Sequence, residues 1–186
     1  MQAFLIATGL VAIAEIGDKT QLLAFVLASR FRRPWAVVAG ILVATLLNHA
    51  AATALGSWIT AVLSPGTLRW VLALSFAAMA LWVLKPDRLE DDGAAARSSW
   101  GAFGTTALLF FLAEMGDKTQ LATIGLAAHY AQPVAVTAGT TLGMLLANAP
   151  VVWLGQAATA RLPLLWIRRA AALLFAGMAV LALLWR

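Results

Sequence analysis

The sequence predicts an all-α membrane protein with six transmembrane helices arranged as two inverted three-helix repeats. Three observations lead there. The 186 residues are 62% hydrophobic and only 11% charged, too little polar surface for a soluble domain of this length. Apolar runs of about 20 residues, the length that crosses a bilayer, recur from end to end. The second half of the chain also repeats the first.

The spans are expected near residues 4–28, 36–63, 68–84, 102–128, 134–160 and 165–185. Between them lie Arg30-Phe31-Arg32-Arg33-Pro34, Ser64-Pro65-Gly66, the charged stretch from Lys85 to Arg97, Tyr130 to Pro133, and Arg161-Leu162-Pro163. Proline, glycine and charge end helices and sit badly in lipid. Basic residues mark the first break (Arg30, Arg32, Arg33), the third (Lys85, Arg88, Arg97) and the fifth (Arg161, Arg168, Arg169), while the opposite side has Arg69 and Arg186. By the positive-inside rule the odd loops are cytoplasmic and both termini lie outside the cytoplasm. The same rule accounts for the net charge of +5 without a nucleic-acid partner. Tryptophans near the span ends, such as Trp35, Trp58, Trp100 and Trp166, suit an interfacial belt. The lack of cysteine excludes disulfides, thiolate metal sites and cysteine catalysis. The first span begins almost at Met1, has no basic segment before it and carries acids within it, so a cleaved signal peptide is not expected.

An offset of 99 positions aligns the halves without a gap and carries Glu15 onto Glu114. The stretch Ala14-Glu15-Ile16-Gly17-Asp18-Lys19-Thr20-Gln21-Leu22 falls on Ala113-Glu114-Met115-Gly116-Asp117-Lys118-Thr119-Gln120-Leu121. Pro34 falls on Pro133, Gly40 on Gly139, Arg69 on Arg168 and Phe76 on Phe175. Roughly a third or more of the aligned positions are identical, beyond what shared apolar composition gives. Residues 1–84 thus form one repeat, 85–99 a cytoplasmic linker and 100–186 the second repeat. An odd number of spans per repeat makes the second copy enter the membrane from the opposite face, and such repeats bind their substrate near the midplane.

Glu15, Asp18, Glu114 and Asp117 lie near the centres of apolar spans, where an ionisable group costs at least about 2.5 kcal/mol. Structural pairs of Glu15 with Lys19 and Glu114 with Lys118 have good helical spacing, but they leave both aspartates unexplained. On a continuous helix Glu15, Asp18 and Lys19 share one face, with Gln21 beside Asp18. Gly17 and Gly116 suit either a local break that exposes carbonyl oxygens or close helix packing. Four carboxylates and two lysines sum to −2, which balances one divalent cation. Carboxylate, amide, hydroxyl and carbonyl oxygens are hard ligands, suited to Mg²⁺, Ca²⁺ or Mn²⁺. Four carboxylates crowded out of water cannot all stay ionised, so one or two should hold protons that a cation displaces. Asn48 and Asn148, in the second span of each half, serve as ligands or as interhelical hydrogen-bonding groups. His49 suits structural bonding or proton relay, Met144 and Met115 are packing residues or soft ligands, and Pro150 is expected to kink its span. No nucleophile–base pair for a hydrolase is apparent, so an enzyme is not expected.

The motif Glu-x-Gly-Asp-Lys-Thr-Gln, present twice about a hundred residues apart, resembles that of the GDT1 family of cation/proton exchangers. This is uncharacterised protein family 0016, which includes transmembrane protein 165 and bacterial manganese exporters. The resemblance covers essentially the whole chain. It implies a multi-pass protein of the bacterial plasma membrane that exports Mn²⁺ in exchange for protons, with Ca²⁺ as an alternative substrate and no cofactor. By the motif, metal and proton handling fall to Glu15, Asp18, Glu114 and Asp117. Thr20, Gln21, Thr119, Gln120, Lys19 and Lys118 act in support, the lysines with the milder effect, and the oligomeric state is left open.

Overall fold

The computed structural model describes residues 1–85, 100–154 and 163–184. All regular structure among them is α-helical. The first half contains α1 (Gln2–Glu15), α2 (Lys19–Phe31), α3 (Pro34–Val62) and α4 (Pro65–Trp82). The second contains α5 (Gly101–Glu114), α6 (Lys118–Tyr130), α7 (Pro133–Leu154) and α8 (Leu164–Leu184). The halves correspond helix for helix. The expected linker 85–99, apart from Lys85, lies outside the described residues, as do Arg161, Leu162 and Trp185.

Local chemistry sets the ends of these helices. Arg32 closes α2 in the left-handed region at φ 50°, with its N–H on the Ala28 carbonyl at 2.9 Å. Ala131 closes α6 in the same way at φ 51°, bonded to Ala127 at 3.0 Å. Each of these turns leads to a proline, Pro34 or Pro133, at the start of the next helix, where a missing N–H costs nothing. Ser64 caps α4 by accepting from the Thr67 N–H, again with proline in the first turn.

Among the described residues three helices are long and apolar enough to cross a bilayer, α3, α7 and α8, and α1 and α5 are shorter apolar helices. The expected first and fourth spans are not continuous. Each is interrupted at its acidic motif, giving α1 and α2 in one half and α5 and α6 in the other. Pro150 lies inside α7, which runs on to Leu154. Leu47, Leu74, Leu81 and Leu173 stand on the outer surface, as a hydrocarbon surround requires.

Contacts between the halves exchange in register. Helix α1 packs on α7 as α5 packs on α3, and α2 packs on α7 as α6 packs on α3. The last helices depart from this pattern: α4 and α8 pack on each other, but α4 also lies against α6 whereas α8 lies against α1. One core, containing the fully buried Phe76 and Phe175, joins α1, α4, α6 and α8. A second, with Leu27, Ile41, Phe110 and Met144, joins α2, α3, α5 and α7.

Close approach of α1 to α7 depends on Gly139. A Cβ there would stand 2.5 Å from the Phe4 carbonyl oxygen, and one on Gly40 would stand 2.9 Å from that of Phe103. Both obstacles are backbone and cannot rotate away. Gly139→Ala is therefore expected to lower unfolding stability by about 1–3 kcal/mol. Gly9→Ala, with nothing within 4 Å of the new methyl, should be neutral or gain up to about 1 kcal/mol. Thermal melting of the two variants in detergent checks the contrast.

Candidate cation-binding centre

The two motifs interrupt their helices with nearly the same backbone. Ile16 and Met115 are extended, at φ −64°, ψ 118° and φ −64°, ψ 119°. Gly17 and Gly116 then take φ of 80° and 76°, a conformation that L side chains resist. Asp18 and Asp117 return to extended backbone and begin α2 and α6. A helix C-terminus and a helix N-terminus thus meet beside each acidic pair, with orphaned backbone groups to satisfy. The Asp18 N–H donates to the Glu15 carbonyl at 3.0 Å and the Asp117 N–H to that of Glu114 at 3.1 Å. The Gly17 N–H donates to Gln21 Oε1 at 2.8 Å and the Gly116 N–H to Gln120 Oε1 at 2.7 Å.

These breaks correct the single-face arrangement expected of a continuous helix, because 100° per residue does not carry through an extended pair and a left-handed glycine. The pairing of Glu15 with Lys19 and of Glu114 with Lys118, set aside on the sequence because it leaves the aspartates unexplained, is not what the structure shows. The lysines cross between the halves instead. Lys118 Nζ stands 2.6 Å from Asp18 Oδ1, and Lys19 Nζ stands 2.9 Å from Asp117 Oδ1. The glutamates are held within their own motifs: Thr20 donates to Glu15 Oε2 at 2.6 Å and Thr119 to Glu114 Oε2 at 3.0 Å.

Oxygens of Glu15, Glu114 and Asp117 lie within 4.8 Å of one another, all in buried residues. Glu15 Oε1, Glu114 Oε1 and Asp117 Oδ2 are buried with no hydrogen-bond donor among the described residues. An orphaned buried carboxylate oxygen is costly, and a bound cation is one partner that would satisfy such oxygens in this trio of acids. Oxygens on opposite sides of a Ca²⁺ ion, bound at about 2.3–2.6 Å, stand about 4.6–5.2 Å apart. The observed spread fits one ion, and a smaller ion would draw the group inward. Asp18 is buried nearby through its bond to Lys118 and is not one of this trio.

The polar residues of the second spans connect to the same region. Gln120 Nε2 donates to Asn48 Oδ1, and Asn48 Nδ2 donates to the Phe111 carbonyl at 3.2 Å. At the matching place in the other half, Gln21 Nε2 donates to the Ala147 carbonyl at 2.7 Å. A backbone oxygen there does the work of the Asn48 side chain, and Ala147 carries no sequence signal beyond its offset from Asn48. Both glutamine carbonyls are already used by glycine N–H groups, so Gln21 and Gln120 hold the breaks in place. Asn148 donates to the carbonyl and sulfur of Met144, at 3.1 and 2.9 Å, and its Oδ1 is buried without a donor. His49, which aligns with Asn148, is fully buried with neither ring nitrogen bonded among the described residues. Met144 is fully buried in the core, whereas Met115 is exposed.

A helical protein of apolar surface, with acids from both halves converging on a buried oxygen-lined centre, belongs to the class of membrane carriers for cations. The match to known proteins is more specific. The chain belongs to the family described as divalent cation/proton antiporter GDT1, whose model matches residues 3–91 and 102–185. It is 50% identical over 181 residues, 97% of this chain and 90% of the relative, to a Vibrio cholerae protein named "Putative manganese exporter". It is 31% identical over 166 residues, 77% of this chain and 78% of the relative, to a Synechocystis protein named "GDT1-like protein sll0615". No solved structure matches. The family is one of transporters that exchange divalent cations for protons, not of enzymes.

The helix breaks predict the sign of two substitutions. An unbroken helix would gain about 1 kcal/mol from Gly→Ala. At positive φ, Gly116→Ala should instead lose about 1–2 kcal/mol. Gly17→Ala should lose a similar amount, since the Leu164 Cδ2 that lies 2.7 Å from the position of the new methyl is the end of a flexible side chain and can move aside. Melting temperatures of both variants in detergent decide the matter.

Proposed function

We propose that this protein is a secondary transporter that exports Mn²⁺ from the cytoplasm in exchange for protons, by alternating access at a carboxylate site near the membrane midplane. The observation that carries this reading is the convergence of Glu15, Glu114 and Asp117 from two halves of one duplication. In the proposed architecture each broken helix pair counts as one span, which gives six spans in two inverted repeats, 1–84 and 100–186, joined by a cytoplasmic linker at 85–99. The in-register exchange of contacts between halves supports a two-fold relation. The basic residues of the odd breaks support placing both termini outside the cytoplasm of a bacterial plasma membrane.

The charges suggest how exchange works. Each aspartate is compensated by a lysine of the other half. The two glutamates remain, with a combined charge of −2 when ionised, matched by one divalent ion or two protons. Carboxylates bind a metal well only when deprotonated, so metal and protons exclude each other at the same oxygens. An inward proton gradient then drives the cation out. Two protons per ion would make transport electroneutral, and any other ratio would make it sensitive to membrane potential.

Ca²⁺ also accepts an all-oxygen site and is the alternative substrate. The name carried by the Vibrio relative favours manganese. The test uses proteoliposomes containing a pH-sensitive dye and a panel of Mn²⁺, Ca²⁺ and Mg²⁺. Mn²⁺ uptake should move protons the other way, and Glu15→Gln or Glu114→Gln should cut the rate at least about a hundredfold, as removal of a charged ligand from a buried site does. Metal uptake with no proton movement, unchanged by a pH gradient, would reject exchange.

A further inference from the structure

We infer that Lys19 sets the valence of the ion this centre accepts, acting as a tethered cation that cancels one charge of the carboxylate cluster. The inference rests on the cation-site reading above and adds a specificity-determining residue to it. Asp117 belongs to the trio whose oxygens lie within 4.8 Å of one another. Its Oδ1 is taken by Lys19 at 2.9 Å, while its Oδ2 is buried without a donor. One carboxylate thus faces both a fixed ammonium and the place of the ion. The ammonium comes from the opposite half, so it is not a by-product of helical spacing within the motif. Lys118 makes the matching bond to Asp18, an acid outside the trio.

The two pairs also differ in access. The Lys118 side chain is 4% exposed and that of Lys19 25%. Lys118–Asp18 is a buried cross-tie between the halves, and losing one partner would leave a bare charge in the interior. Lys19 sits at the edge of the centre, where its replacement is better tolerated. With both lysines present the four acids carry −2. Without the Lys19 charge they carry −3, which suits a trivalent ion. In a site shielded from water, one unit of charge a few ångströms from the ion has a large effect on which valence is held.

The test measures binding to purified full-length protein in detergent, with Tb³⁺ luminescence sensitised by the native tryptophans and Mn²⁺ as competitor. Lys19→Met should raise the ratio of Tb³⁺ to Mn²⁺ affinity by about tenfold or more. Lys19→Arg, which keeps the charge, should leave the ratio at the wild-type value. The double variant Lys19→Met with Asp117→Asn, which restores −2, should return it toward wild type. A ratio unmoved by Lys19→Met, or equally raised by Lys19→Arg, overturns the inference. If Lys19→Met does not fold, Asp117→Asn alone takes the charge to −1 and should lower the ratio by a similar factor, and no change there overturns it too. If the wild-type protein exchanges Mn²⁺ for protons but Lys19→Met leaves the ratio unmoved, the lysine assignment alone is refuted. Wild-type protein that binds neither ion refutes the site itself.

Discussion

Placing charge in the middle of an apolar helical bundle is costly, and most of this architecture answers that cost. Four carboxylates and two ammoniums are buried or half-buried in one region. Each aspartate receives a lysine from the other half, and each glutamate receives a threonine hydroxyl from its own motif. A continuous helix could not do this. It would present Lys19 one turn above Glu15 and keep every pairing within one segment. The left-handed glycine turns the chain so that aspartate and lysine face across, while glutamate and threonine face each other. Every fixed letter of the Glu-x-Gly-Asp-Lys-Thr-Gln motif therefore has a physical task, including the glutamine that accepts from the glycine N–H.

Duplication makes the solution self-consistent, because each half supplies what the other lacks. The two copies are nevertheless not equivalent. Gly17 is covered by Leu164 at the start of α8, whereas Gly116 faces open space among the described residues. Lys19 is partly exposed where Lys118 is buried. The last helices carry the same asymmetry, with α4 on α6 and α8 on α1.

The helical class, the duplication and the acidic motif were legible in the sequence because each leaves a local or periodic mark: long apolar runs, a gapless offset and a repeated cassette. The interruptions at Gly17 and Gly116 were visible only as one of two options, since apolar residues continue on both sides and a packing glycine looks the same as a bending one. The crosswise ion pairs could not be read. Lys19 stands at good helical spacing from Glu15, a pairing the unexplained aspartates argued against, but nothing local named Asp117, which lies on another helix pair. The Ala147 carbonyl was invisible for a simpler reason: a backbone acceptor has no sequence signature. Asn48 could be placed among polar contacts, but its partnership with Gln120 depended on how α3 packs against α6.

In the proposed mechanism one set of oxygens holds either protons or a divalent cation. Calorimetric titration of purified protein with Mn²⁺, repeated in buffers of different ionisation heat, counts the protons released per ion bound without any need for transport. Net proton release on binding is expected at neutral pH, reduced when Glu15 or Glu114 is replaced by glutamine. Binding of Mn²⁺ with no proton release, the same in every buffer, would contradict it.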